Sequence, residues 1–466
     1  MSLPVYIETI PADRFTPVVV FKKLNGKALL ESAVLEIGKS RYSIILVEEA
    51  FRLVLNNRGV LKYEGLKEEI LSPDPHNFLS ILEGQGKNVA SSKDFGMPIP
   101  ASGIGYLGYE TAALFDKIHL SKQDDELQLP DAIFLFGSLF IVFDHYKDEL
   151  YIIAIDYDGQ GKEKIKTVKE RLMDFDFRAY QTDENFYHCT GQIEAGKEAY
   201  ISGVKKLKEH IRAGDIVQGV LSRRITIKTF LDPLDAYCRL RRINPSPYLF
   251  YFDFTDFKLF GSSPELMVSY NDGTATIKPI AGTRSRGKTR QEDIALEKDL
   301  LADEKERAEH LMLVDLARND LGRTAKPGTV SPRSLYSVER YSHVMHIVSE
   351  IGSQVARDYN AYDLIRTTFP AGTVTGAPKI KAMELVSDYE NVKRGPYAGL
   401  VGHFDMNGNF DSCITIRSMI HKEGTYYIQV GAGIVYDSVP EREFDETMKK
   451  AGAMIRSLGI NLESGL

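Results

Sequence analysis

A mixed, largely antiparallel α+β fold is what this sequence predicts. Apolar alternation recurs in segments joined by turn-forming residues, and helical periodicity is interspersed without the regular strand–helix–strand spacing of a parallel sheet. At 466 residues the chain exceeds the usual size of one hydrophobic core, so two domains or one large domain of two packed layers is expected.

Residues 42–48 and 51–55 read as strands, as do 133–143 and 150–155, which form a hairpin across Asp144-His145-Tyr146-Lys147-Asp148. Between them lie Ser72-Pro73-Asp74-Pro75 and a glycine-rich stretch, 103–109. The segment 160–194 is polar, with a helical run in its first half, and it marks the expected division into regions 1–185 and 186–466. An amphipathic helix from Lys197 ends at Ala213-Gly214-Asp215. Strands follow at 216–221 and 248–253, then 264–280 folded about Asn271-Asp272-Gly273. The chain closes with a hairpin, 410–420 against 426–436, and a helix over 441–458.

A formal charge of −7 and a pI near 5.9 argue against a nucleic acid or an anionic membrane as main partner, while leaving room for a small anion in a local basic pocket. Cys189, Cys238 and Cys413 are widely spaced and odd in number, which fits a reducing, cytoplasmic setting and gives no zinc or disulfide pattern. The longest apolar run, 133–143, is too short for a membrane helix, and the N-terminus lacks a signal-peptide design.

In the run 303–315, helical spacing puts Glu306, Glu309, His310 and Leu313 on one stripe. Glu443 and Glu446 repeat the glutamate spacing shortly after Gly431-Ala432-Gly433, a backbone suited to close approach by a ligand. Carboxylates on two helices suit Mg²⁺, which keeps waters and bridges to anionic substrates; on spacing alone, two separate solvated acid pairs are an equal alternative. Residues 372–379 offer hydroxyls, N–H groups and Lys379 ahead of a helix, an anion-binding pattern without Walker spacing. Alternation places Arg417 off the apolar face, where a carboxylate clamp and an ordinary surface arginine are both open.

The motifs Pro279-Ile280-Ala281-Gly282-Thr283-Arg284, the run 303–320, the run 371–379 and Gly431-Ala432-Gly433-Ile434-Val435 follow one another as in the chorismate-utilising enzymes. The chain resembles that family strongly over 196–459 and more weakly around 29–32 and 103–109. The resemblance implies a two-layer sandwich of largely antiparallel sheets flanked by helices, with the site in a cleft between the sheets. It implies Mg²⁺ on Glu309 and Glu446, with Glu306 and Glu443 acting through the metal's waters, and Glu265 as the general acid for the departing ring hydroxyl. Tyr397, Arg417 and the N–H groups of Gly431 and Gly433 would hold the enolpyruvyl carboxylate of chorismate, with Thr373 and His346 along the ring. Without the resemblance, Glu265 reads as a strand-edge acid and His346 as a satisfied core histidine.

Gln218 stands where water-using relatives carry a lysine base, and an amide cannot usefully deprotonate water. Ala281 stands where aminodeoxychorismate-forming relatives carry a nucleophilic lysine, and a methyl group forms no adduct. The chain thus resembles the anthranilate synthase branch, a lyase that joins ammonia to chorismate and releases pyruvate, with aminodeoxychorismate synthase component I of folate biosynthesis as the alternative. Glu31, Ser32, Pro247, Tyr248 and Leu249 resemble the site where L-tryptophan exerts feedback inhibition; otherwise they form a buried strand end and a proline turn. No cysteine lies in a Gly-x-Cys-x-Gly elbow, so a glutamine amidotransferase subunit is the implied source of ammonia. Gly219 occupies a position that usually carries a bulkier apolar residue.

Overall fold

The computed structural model describes residues 3–33, 41–91, 93, 95–174, 193–194, 196–341 and 344–460. Cys189 and the expected division at 185/186 lie outside them. The strand Ala132–Asp144 (AIFLFGSLFIVFD) is buried from end to end, as a central strand covered on both faces must be. Tyr42–Asn56 pairs along one edge of it, while Ile104–Leu107 and Glu149–Ile155 share the other. Residues 42–48 and 51–55, expected as two strands, are one strand whose register shifts between Leu46 and Phe51, where Glu48 and Glu49 interrupt the apolar run.

Every pairing between named strands is antiparallel, and hydrogen bonds link them into one continuous sheet. The sheet crosses the expected sequence regions: Ala28–Glu31 pairs with Tyr248–Asp253, and Ile104–Leu107 with Leu400–Phe404. One core cluster draws mostly on strands, including Ile44, Leu46, Ile133, Leu135, Phe250, Phe252 and Val401, and fills the space between the two layers. Helices cover the outside. Pro17–Leu24, Gly161–Met173, Lys197–Ala213, Pro233–Ile243 and Pro440–Ser457 bury one apolar face in a second cluster, through side chains such as Phe21, Val168, Leu207, Leu240 and Met454. Phe78–Val89, Glu304–Gly322 and Ala361–Thr368 do the same in a third, through Leu82, Leu321 and Leu364. Each fully buried Leu or Phe contributes roughly 1.5–3 kcal/mol.

Two expected strands differ from the structure. The strand expected at 216–221 runs from Gln218 to Lys228, continuing through polar residues because the Arg223 guanidinium lies 4.2 Å from the Phe444 ring centroid and Arg224 bonds Gln429. The expected 410–420 strand is two, Phe410–Ile414 and Ser418–Lys422, broken where Arg417 takes a left-handed backbone with φ 51°. The first pairs with Leu400–Phe404 and the second with Thr425–Ile434. No helix of the described residues is long and apolar enough to cross a membrane.

Candidate active site

The two acidic helices, Glu304–Gly322 and Pro440–Ser457, start where their sequences say they should. Asp303 caps the first, accepting the N–H groups of Lys305 and Glu306 at 3.0 and 3.1 Å, and Pro440 opens the second. Their carboxylates face one another. Burial raises the Glu309 pKa, and Glu306 and Glu446 push it the same way. Burial likewise raises that of Glu443, with repulsion from Glu446 adding to it. Glu446 is paired with Lys450, one turn on, at 2.8 Å, and Glu306 lies 3.5 Å from Arg284. As they stand, no group of three or more His, Cys, Asp or Glu side chains among the described residues is gathered closely enough to hold a metal ion.

Lys450 links these groups to the others. Its ammonium donates to Gly431 O at 3.0 Å and acts electrostatically on Glu265, Glu309, Glu443 and His346. Sequence reading missed it, although a lysine four residues after Glu446 on a helix is a readable i,i+4 partner.

Glu265 follows the strand Lys258–Ser263 after Pro264, and its backbone carbonyl accepts the Ile414 N–H at 3.0 Å. Its side chain is buried with no ion pair among the described residues, and burial pushes its pKa up to about 7, against smaller opposing effects of Thr373 and Lys450. Among the described residues the buried Thr373 hydroxyl has no partner at hydrogen-bonding distance, yet it lies near enough to ease the charge on Glu265.

His346 Nδ1 lies 2.9 Å from Gly282 O, so that nitrogen carries the proton and Nε2 stays unprotonated. Burial lowers the His346 pKa, and Arg417 and Lys450 lower it further. The left-handed turn at Arg417 departs from the expected alternation. It brings the guanidinium within 3.4 Å of Lys450 O and within electrostatic reach of Tyr397 and Glu446. The two glycines of 431–433 make room. A Cβ on Gly431 would stand 2.9 Å from the Tyr397 hydroxyl, and one on Gly433 would stand 2.5 Å from Gln218 Nε2. The Gln218 Oε1 is buried and has no hydrogen-bond partner among the described residues. Lys379, expected beside an anion, is instead held by Asp320 at 2.8 Å and by Thr368 O.

The structure thus gathers Glu265, His346, Thr373, Tyr397, Arg417, Gly431, Gly433 and the four glutamates around one cleft. The remaining expected residues meet elsewhere. Glu31, Ser32, Pro247, Tyr248 and Leu249 line a separate cavity of about 510 Å³, where the paired strands Ala28–Glu31 and Tyr248–Asp253 meet. Glu31 accepts the Tyr237 hydroxyl at 2.7 Å and pairs with Arg241 at 3.0 Å.

Residues 49–456 match the family described as chorismate binding enzyme. The chain belongs to that family. Anthranilate synthase component 1 of Spirochaeta aurantia is 44% identical over 467 aligned residues, covering 99% of this chain and 96% of that one. The protein of the same name from Acetivibrio thermocellus is 39% identical, over 98% and 95%. The crystal structure of anthranilate synthase component I from Streptococcus pneumoniae TIGR4 superposes with a TM-score of 0.79 at 33% identity, covering 96% of this chain and 99% of that one. MenF, the menaquinone-specific isochorismate synthase of Escherichia coli, shares the fold at a TM-score of 0.69 and 17% identity, over 98% and 95%. The family's two-layer antiparallel architecture is therefore that of this chain.

Proposed function

We propose that this chain converts chorismate and ammonia to anthranilate and pyruvate, as the large subunit of an anthranilate synthase in tryptophan biosynthesis. The observation that carries the reading is a buried acid, Glu265, with a pKa near 7, in a cleft that has Gln218 and Ala281 where a lysine base or nucleophile would otherwise stand. Whole-length likeness to proteins named anthranilate synthase component 1 supports it, and the aminodeoxychorismate alternative is not favoured.

Glu265 would protonate the departing ring hydroxyl, since hydroxide itself leaves poorly. An acid with a pKa near the working pH is half in its useful form and still a strong donor. Arg417, the Tyr397 hydroxyl and the backbone of Gly431 and Gly433 would grip the enolpyruvyl carboxylate; Thr373 and His346 would line the ring, His346 through its free Nε2. The buried Gln218 amide offers no base, so the attacking group is the already basic ammonia. The crowded carboxylates fit a hard divalent cation, because they are oxygen donors whose mutual repulsion a cation would relieve. Mg²⁺ held by Glu309 and Glu446, with Glu306 and Glu443 behind them, would neutralise the ring carboxylate and make it an electron sink.

The ammonia would come from a glutamine amidotransferase subunit, and the setting would be cytoplasmic. The cavity lined by Glu31, Ser32 and Tyr248 is of a size to take L-tryptophan as feedback inhibitor. Incubating the chain with chorismate, Mg²⁺ and ammonium tests the reading. Anthranilate and pyruvate in equal amounts support it, and para-aminodeoxychorismate or isochorismate as the product refutes it.

A further inference from the structure

Behind the cleft lies a buried charged assembly that no step above uses. Arg394 is only 1% exposed, and its guanidinium is spent on fixed partners. Nε and Nη2 donate to Glu390 at 2.8 and 2.7 Å, Nη1 donates to Val374 O at 2.8 Å, and Nη2 also donates to Val220 O at 2.6 Å. Glu390 in turn accepts the Ser222 N–H at 2.6 Å. The Tyr109 ring lies 4.2 Å from the guanidinium carbon and the Tyr397 ring 5.8 Å. The backbone is tied as well, since Glu110 accepts the N–H groups of Arg394 and Gly395 at 2.7 and 3.1 Å.

The ties through Val374, Val220, Glu390 and Tyr397 end beside residues of the cleft. Val374 follows Thr373, Val220 and Ser222 pair with Gly433 and Gly431, and Tyr397 stands three residues on from Arg394 with its hydroxyl over Gly431. On the functional reading above, we infer that Arg394 is a positioning residue, holding Tyr397, Thr373 and the Gln218–Lys228 strand in the mutual register that chorismate requires. Net stability does not account for it, because a buried ion pair is commonly no more stabilising than apolar residues of the same volume. The planar fork does, since it aims donors at a carboxylate and two carbonyls at once, which a lysine ammonium cannot reproduce.

Arg394→Lys keeps the charge and removes the fork. With near-UV circular dichroism showing native packing well below the melting temperature, chorismate Kd and KM are expected to rise by about tenfold, with a smaller fall in kcat. In a Tyr397→Phe background the same change should move Kd and KM by clearly less than in the wild type, because the share of the effect that runs through the Tyr397 hydroxyl is already gone while the shares through Val374 and Val220 remain. A merely structural role would lower the melting temperature and leave Kd, KM and kcat within about twofold, and that result, or full additivity, overturns the inference. If the lysine variant does not fold, Glu390→Gln, which leaves the fork and weakens its two bonds to residue 390, carries the same cycle with the same criteria. Direct chorismate binding keeps the two readings apart: wild-type protein that binds chorismate but makes no anthranilate refutes the function, while the cycle on Kd still decides the role of Arg394.

Discussion

The cleft and the cavity at Glu31 each bury a glutamate, and they treat it oppositely. Glu31 is answered by the Arg241 guanidinium at 3.0 Å and the Tyr237 hydroxyl at 2.7 Å, so its charge is stabilised where it stands. Among the described residues Glu265 has no ion pair and its neighbour Thr373 no hydrogen-bond partner, and burial lifts the Glu265 pKa to about 7. A site that must hold a ligand's charge benefits from a fixed ion; a site that must give up a proton benefits from an uncomfortable one. The same contrast separates Glu265 from Glu390, which Arg394 and the Ser222 N–H satisfy fully.

The sharpest way to break the comparison is Glu265→Gln. Turnover should fall by roughly two to four decades while chorismate Kd stays within about threefold. Stability should move the other way. The folded pKa of about 7 lies above the ordinary 4.5, so the folded chain keeps a proton that the unfolded chain has released, and stability is lost as pH rises from about 4.5 to about 7. The glutamine variant escapes that loss, so its melting temperature at about pH 8 should equal or exceed that of the wild type, with the difference vanishing near pH 4. A variant that is destabilised at pH 8 would mean that Glu265 is structural. In the wild type, kcat at constant free ammonia should decline as pH rises through about 7.

Next in size is the paired-carboxylate end of the cleft. Glu309→Gln or Glu446→Gln should lower the rate by about two decades at limiting Mg²⁺ and abolish the rise in melting temperature that Mg²⁺ gives the wild type. Full activity with an unchanged Mg²⁺ dependence in either variant would remove that glutamate from the metal assignment.

These two predictions differ in how far the sequence carried them. The glutamate pairs were legible because helical periodicity is local: Glu306 and Glu309, like Glu443 and Glu446, share a face whatever the tertiary fold. The strands at 133–143 and 150–155 and the turn at Asn271-Asp272-Gly273 were legible for the same reason. What stayed hidden is long-range or conformational. Arg394 meets Val220 across 174 positions, and the left-handed backbone that turns Arg417 into the cleft belongs to one non-glycine residue that nothing in its neighbours' composition marks. The role of Lys450 depends on Gly431 O, an acceptor that no spacing rule names.

The cavity at Glu31 is expected to respond more gently. L-tryptophan at about 100 times its Kd should stabilise the wild type by about 2.7 kcal/mol, measurable as a raised melting temperature, and should weaken chorismate binding by linkage. Glu31→Gln should abolish both effects and cost about 1–2 kcal/mol, less than a fully buried pair because Arg241 is a quarter exposed. Unaltered tryptophan binding in that variant would place the inhibitor elsewhere.

The smallest expected effect concerns Gly219, on the strand that floors the cleft. Its backbone is not left-handed, so no conformational demand reserves the position for glycine. A Cβ there would meet Leu207 Cδ2 at 3.0 Å, Ile216 Cδ1 at 3.3 Å and Val386 Cγ2 at 3.4 Å, all of them methyl ends of side chains that can give by a few tenths of an ångström. The added methyl group buries against apolar atoms and reduces the freedom of the unfolded chain, so Gly219→Ala should raise stability by about 0.5 kcal/mol in urea denaturation. The neighbouring Gln218 side chain lies against Gly433, on the cleft side, while the new methyl points toward Leu207 and Val386. The rate and KM should therefore stay within about twofold. A loss of more than about 1 kcal/mol with a raised KM would mean that the Leu207, Ile216 and Val386 layer is rigid enough to push the strand, and Gln218 with it, into the cleft.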